Sequence, residues 1–310
     1  MSTSQAFSTM LSRIELNPAR VQLASQRYNA VKSVIENALP GKRVTQIGSF
    51  QRKTKIRPAD LSDQLDIDVL VDFGATNVIL PPNTGGLTPA QALETVRRAL
   101  AADKTYRVMG PRNDAPTTVL EYADSFSMEI VPAFGDKTGN HDHPGTSLNC
   151  YLVGDPSGNW IPADYDYDAA IISNLNGRSF NSLVPSIKMI KAYLRAQEIS
   201  LKSFYVEILC ASIIPNAIAE CQSGNLSWDY QHILANFLSV AGQQIKSSLV
   251  LPGSHSLPVE SGLDYFSQEY AKYILTQKGS TAWKLCEMGD TPAAIEAWSR
   301  FFGGSFPTRV

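Results

Sequence analysis

Apolar residues first recur at helical spacing after Asn17, where Val21, Leu23, Ala24, Tyr28, Val31, Val34, Ile35 and Leu39 line one side of a helix. Asn17-Pro18 supplies a cap followed by proline at the first helical position, and Pro40-Gly41 supplies the stop, so one long helix is predicted. The period then shortens to two. Residues 44–47, the run LDIDVLV, and residues 106–109, 117–122, 128–131 and 151–153 read as strands, giving a sheet of about five when either 44–47 or 151–153 is counted. A stretch dense in turn formers, residues 74–89 with Pro81-Pro82 and Gly85-Gly86, separates the LDIDVLV strand from a helix over Pro89–Ala102. Thr88 caps that helix, and Ala92, Val96 and Leu100 share its inner face. Residues 151–161 form a hairpin on the turn Asp155-Pro156-Ser157-Gly158, with Trp160 just before PADYDYD.

From about Ser182 the texture becomes helical. Val184, Ile187, Met189, Ile190, Tyr193 and Leu194 form an amphipathic helix that also carries Lys188 and Lys191, and residues 204–214 form a strongly apolar one. Residues 226–249, 262–277 and 292–302 add further helices. The pattern predicts an α+β chain in two parts. Residues 1–177 form a sheet core with its long N-terminal helix, and residues 178–310 form a helical lobe, with the linker near residues 174–181.

A chain of 310 residues with 44% hydrophobic content buries a substantial core. Its net charge of −2 does not imply a broad nonspecific nucleic-acid surface, so any phosphate-binding charge is local, as at Arg52, Lys53, Lys55 and Arg57. The cysteines, Cys150, Cys210, Cys221 and Cys286, lie far apart without a C-x-x-C pair and fit reduced thiols in a cytoplasm. No apolar run approaches the roughly 18 residues of a membrane span, and MSTSQAFSTM has neither the charged start nor the apolar stretch of a secretion signal. His141 and His143 sit two apart in a Gly/Pro loop with no cysteine nearby, a solvated loop rather than a zinc site.

The chemistry concentrates in residues 47–73. A Gly48-Ser49 turn offers backbone N–H groups with no Cβ in the way and a hydroxyl donor, the requirements of a phosphate. Asp66 and Asp68 follow in the alternating run, and in a strand two such residues lie on one face about 6 to 7 Å apart. Carboxylates so placed are hard oxygen ligands suited to Mg²⁺, although a lone Asp-x-Asp at a strand end is more often structural. A third acid, Glu129, stands between apolar neighbours in SFSMEIVPAF, either facing a metal or facing water on an edge strand. Arg52 and Lys53 either screen phosphates or blunt a strand edge.

GSFQRKT, LDIDVLV and EIVP resemble the Gly-Ser, Asp-x-Asp and third-acid motifs of the polymerase β-like nucleotidyltransferases, and among them the bacterial cyclic-oligonucleotide synthases of the cGAS/DncV-like (CD-NTase) family. PSIKMIKAYLR followed by LKSFYVEIL is similar to that family's paired helices, and AWSRFFGGSFP to the terminal segment of some bacterial clades. The resemblance implies a polymerase β-like core with a mixed sheet, packed against a helical C-terminal lobe. It implies two Mg²⁺ ions (or Mn²⁺) held by Asp66, Asp68 and Glu129, with Gly48 and Ser49 on the β/γ-phosphates. It further implies that Lys191 and Ser203 close over the triphosphate and that Phe204 stacks on a base where relatives more often carry Tyr. Glu129 stands where many relatives have Asp. The implied substrates are nucleoside triphosphates, ATP among them, selected near residues 160–167, where Trp160 is either a base contact or a core residue. The implied reaction is in-line attack of a ribose hydroxyl on an α-phosphate to make a cyclic di- or trinucleotide for antiphage signalling, with an activating partner protein or ligand, no membrane and no obligate nucleic acid.

Two other functions fit parts of the pattern. A terminal transferase adding nucleotides to RNA or protein uses the same chemistry, but on RNA it needs a basic groove that the near-neutral charge does not provide. A silent nucleotide-binding sensor has no reason to keep three acids that repel one another without metal.

Overall fold

The structure is a computed structural model, and it describes residues 1–59, 64–75, 86–136, 150–224, 228–252 and 257–308. The chain divides into two compact units. The sheet unit comprises Leu16–Arg52 and Pro58–Ala169, and the helical unit Met1–Glu15, Lys53–Arg57 and Ala170–Val310. Two short stretches of the N-terminal half therefore belong with the helices, and the last crossing falls between Ala169 and Ala170.

In the sheet unit, α2 (Pro18–Ala38) starts where predicted, its first turn closed by the Asn17 side chain accepting from the Arg20 N–H. Next come β1 (Arg43–Gln46), the single-turn helix α3 (Gly48–Gln51) and β2 (Leu65–Ala75). α4 (Pro89–Ala102) opens on a reciprocal Thr88/Gln91 capping box. Then follow α5 (Lys104–Met109), β3 (Arg112–Asp114), β4 (Thr117–Tyr122), β5 (Phe126–Asp136), β6 (Cys150–Gly154), β7 (Trp160–Ala163) and α6 (Tyr165–Arg178), which runs through the division between the units. The strands form one seven-stranded sheet in the order β1-β2-β5-β4-β3, with β6 on β5 and β7 on β6, against about five predicted. β2 and β5 are parallel and the other pairs antiparallel, so the sheet is mixed as expected.

Alternation sorts the two faces. Leu65, Ile67, Val69 and Val71 of β2 and Phe126, Met128 and Ile130 of β5 join Val31 and Ile35 of α2 and Val96 and Leu100 of α4 in the main core of this unit. The residues between them, Asp66, Asp68 and Leu70 of β2 and Ser127, Glu129 and Val131 of β5, point to the other face. There a smaller cluster of Ile47, Leu70, Val131, Ala133, Tyr151 and Val153 covers one end and leaves the acids beside it.

Residues 106–109, read above as a strand, are the body of α5. The Asp103 side chain accepts from the N–H groups of Thr105 and Tyr106, and Gly110 ends the helix in the left-handed conformation. Gly48-Ser49 likewise opens a helical turn rather than a simple bend. His141, His143, Pro81, Pro82 and Gly85 lie outside the described residues.

The helical unit contains α1 (Thr3–Ile14), α7 (Leu183–Ala196), α8 (Ser203–Ser223), α9 (Tyr230–Gln244), α10 (Tyr265–Glu287) and α11 (Pro292–Phe302). Its core holds a dense aromatic group. Phe7 of α1 meets the rings of Trp298 and Phe306 edge-on at 5.2 and 5.0 Å, and Tyr193 of α7 stacks on Phe301 at 4.8 Å. With a mean hydropathy of 1.4 over its most apolar window, α8 is long and apolar enough to cross a membrane, contrary to the expectation that no run approaches that size. Its Tyr205, Leu209, Cys210, Ile213 and Ile214 are core residues of the helical unit, and that packing accounts for its apolar sequence.

Candidate active site

The parallel pairing of β2 and β5 sets Asp66 opposite Ser127 and Asp68 opposite Glu129, so the three predicted acids share one sheet face, each partly exposed. Ser127 Oγ donates to Asp66 Oδ1 at 2.7 Å, which fixes that carboxylate on the strand. β1 ends against the same place, with the Ile47 N–H donating to the Asp68 carbonyl at 2.9 Å. The chain then turns at Gly48, with φ +71°, a region that disfavours a side chain. A Cβ at Gly48 would lie 2.5 Å from Asp68 Cγ, so only glycine lets the turn lie against this carboxylate. Ser49 follows, buried, as the second residue of α3.

Among the described residues, no three His, Cys, Asp or Glu side chains stand close enough together to hold a metal ion. Asp66, Asp68 and Glu129 share one face of the sheet, on the adjacent strands β2 and β5. The donor set still suits a hard divalent cation: all oxygen, on adjacent strands, beside a turn with no Cβ.

The first turn of α6 completes this neighbourhood. Its Asp166 accepts from Gln51 Nε2 at 2.8 Å and from the Tyr151 hydroxyl at 3.3 Å. Burial, and then the charge of Asp166, push the Tyr151 hydroxyl up to about 12. Burial pushes Tyr165 up to about 12 as well, with the Asp68 charge adding to the shift and the Arg52 charge opposing it. Arg52 is buried at the C-terminal end of α3 and Lys53 is exposed at φ 60°. Neither lies on a strand, so the edge-blunting reading of this pair falls. Trp160 packs edge-on against Phe134 at 5.1 Å and its indole N–H donates to the Leu87 carbonyl, a packing role.

Lys191, Ser203 and Phe204 belong to the helical unit. Lys191 Nζ lies 2.7 Å from Glu207 Oε1 and 3.3 Å from the Thr54 carbonyl, and Thr54 Oγ1 donates to the same Glu207 oxygen at 2.7 Å. Glu207 and Thr54 are fully buried, and the Lys191 side chain is only 8% exposed. Ser203 is exposed at the first residue of α8, and Phe204 packs partly buried beside Ile172, Ile208 and Leu251.

Sequence reasoning missed Ser127, Gln51, Asp166, Tyr165, Thr54 and Glu207. Ser127 was legible, since it alternates onto the face of Glu129 two residues later. Asp166 and Glu207 were not, because Gln51 and Thr54, which meet them, lie 115 and 153 residues away along the chain.

Residues 1–160 match the domain family described as Second Messenger Oligonucleotide or Dinucleotide Synthetase. A protein of Bacillus cereus (strain VD146) named "Probable cyclic nucleotide synthase" is 23% identical, over 89% of this chain and 86% of its own. The structure of CdnC from E. coli MS115-1 with ATP is similar at a TM-score of 0.68 and 13% identity, covering 99% of each chain; CdnC in complex with HORMA-deltaN gives 0.67 and 15%, covering 98% of each. The Vibrio cholerae cyclic AMP-GMP synthase DncV, in complex with the linear intermediate 5′ pppA(3′,5′)pG, is similar at 0.62 and 15%, covering 86% of this chain and 69% of that one.

Proposed function

The chain belongs to the family of second messenger oligonucleotide or dinucleotide synthetases, a family of nucleotidyltransferases, and from this premise we propose that it condenses nucleoside triphosphates, ATP among them, into a cyclic di- or trinucleotide with release of pyrophosphate. The observation that carries the reading is the packing of Gly48 against the Asp68 carboxylate, with Glu129 beside Asp68 in register. A structural turn has no need of that close approach, and a triphosphate presented to paired acids does.

In this reading the backbone N–H groups at Gly48 and Ser49, with the Ser49 hydroxyl, take the β/γ-phosphates. Asp66, Asp68 and Glu129 hold the divalent cations, Mg²⁺ or Mn²⁺, which when bound lower the pKa of the attacking ribose hydroxyl and neutralise charge on the departing pyrophosphate. Ser127 keeps Asp66 oriented for that task. Lys191 and Ser203 are assigned to the triphosphate and Phe204 to a base on the strength of their motif. The Glu207 partner makes Lys191 a cation held in one place rather than a mobile one.

The product is assigned to antiphage signalling in the cytoplasm, under the control of a partner protein or ligand, as the HORMA-bound relative suggests. The test is incubation of the pure protein with labelled triphosphates and Mg²⁺ or Mn²⁺, without a primer. Label that survives phosphatase and has the mass of a cyclic species supports the reading. Extension only of added RNA or protein would replace it with terminal transfer.

A further inference from the structure

The single turn of α3 carries both proposed phosphate ligands, and a helix of four residues has too few internal hydrogen bonds to hold its own shape. Its front is fixed by the Ile47 N–H on the Asp68 carbonyl. Its back is fixed by a side chain: Gln51, the last residue of the turn, donates from Nε2 to Asp166 Oδ1 at 2.8 Å. Asp166 is itself oriented from the sheet. Its Oδ2 accepts from the Tyr151 hydroxyl of β6 at 3.3 Å, and that hydroxyl accepts from Arg43 Nη2 of β1 at 3.1 Å. Arg43 Nη2 also lies 3.5 Å from Asp72 Oδ2 of β2. A chain of hydrogen bonds anchored on three strands thus ends on the residue that closes the phosphate turn.

We propose that Asp166 is a positioning residue for triphosphate binding, acting through Gln51 to hold the Gly48–Gln51 turn in the shape that its N–H groups need. The inference rests on the nucleotidyltransferase reading above and deepens it. In this role Asp166 acts through Gln51 and not on the reacting atoms, so its loss weakens capture of the triphosphate more than turnover. A carboxylate accepting from a side-chain amide is a charge-assisted bond, strong enough to hold a turn and cheap to test by isosteric replacement.

The experiment is steady-state kinetics of the full chain with ATP and Mg²⁺, with thermal unfolding measured alongside. Asp166→Ala and Gln51→Ala are each expected to raise KM about tenfold with kcat changed less than about twofold. The double variant should be no worse than either single one, since both remove the same bond. The swapped pair Gln51→Glu with Asp166→Asn, which reverses donor and acceptor, should recover most of the lost KM. Unchanged KM in the single variants, additive losses, or a KM rise that tracks a fall in unfolding temperature and is not rescued by the swap would overturn the inference. If Asp166→Ala does not fold, Asp166→Asn, with its KM and its swap, carries the test. Asp68→Asn separates the two levels. An inactive Asp68→Asn beside wild-type behaviour of the Asp166 variants sinks only the positioning role, whereas an active Asp68→Asn sinks the site itself.

Discussion

Glu207 lies fully buried in the helical unit between Lys191 and Thr54, whereas Asp66, Asp68 and Glu129 stand partly exposed on one face of the sheet. The first carboxylate is neutralised from within the fold by a lysine 16 residues away and a threonine hydroxyl. The second group brings acids side by side, with Asp68 opposite Glu129 across a parallel strand pair and a glycine turn pressed against Asp68. A buried charge matched by its own cation serves the fold. The acids set side by side on a partly exposed face of the sheet are those proposed above to hold a divalent cation. The contrast sets a carboxylate held within the fold against the three proposed to act on a ligand, although all four are plain carboxylates in the sequence.

Removing charge from the sheet acids should break the comparison most sharply. Asp66→Asn and Asp68→Asn are each expected to lower product formation on the order of 10⁴-fold, with circular dichroism and unfolding temperature unchanged. Turnover within tenfold of the wild type would remove the metal assignment. Next in size is Glu207→Ala, expected to destabilise the helical unit by about 3 kcal/mol or more, because Lys191 is left charged and buried. Pairing Glu207→Leu with Lys191→Met should restore most of that loss in denaturant unfolding. It should leave any phosphate role of Lys191 exposed as a rise in KM.

Gly48→Ala tests the close approach. Its positive φ and the overlap with Asp68 predict a loss of about 1 to 3 kcal/mol in stability, accompanied by weaker triphosphate binding measured by calorimetry. Alkaline pH gives a smaller and more gradual effect. Tyr151, Tyr165 and Tyr205 are each raised to about 12, chiefly by burial, from an ordinary value near 10. The unfolded chain therefore loses these protons first. Their contribution is intact below about pH 10 and falls as pH rises towards about 12, which unfolding midpoints across that window will register. The finest test joins the two regions of the site: in Asp68→Asn the Tyr165 phenol should titrate lower than in the wild type, since the Asp68 charge is second only to burial among the causes of its shift. Difference absorbance against Tyr165→Phe reads this directly.

Much of this was written locally in the chain. The caps at Asn17, Thr88 and Thr291 and the alternation of β2 and β5 are short-range signals, and the elements appear where those signals fall. Residues 106–109 misled because Tyr and Val suit a strand, while the Asp103 cap three residues before them and the Gly110 stop one residue after decide for a helix. α1 was overlooked, although the Ser2/Gln5 capping box and the spacing of Ala6, Phe7, Met10 and Ile14 mark it. The attachment of residues 53–57 to the helical unit had no local signal. It rests on Thr54 meeting Glu207, the Arg57 N–H meeting the Ile14 carbonyl, and Arg195 meeting the Arg57 carbonyl, all distant in sequence. The acids and the glycine turn could be read from their spacing, and the residues that orient them could not.

Phe7 packs against the rings of Trp298, Phe302 and Phe306, separated from it by nearly the whole chain. During synthesis α1 therefore leaves the ribosome long before these three rings exist, while the strands of the sheet unit, all between Arg43 and Ala163, emerge together. The sheet unit is free to form early, and the ring packing of α1 is completed only once translation has passed Phe306. Nascent chains stalled short of that phenylalanine should leave the first fourteen residues open to protease, and those released beyond it should not.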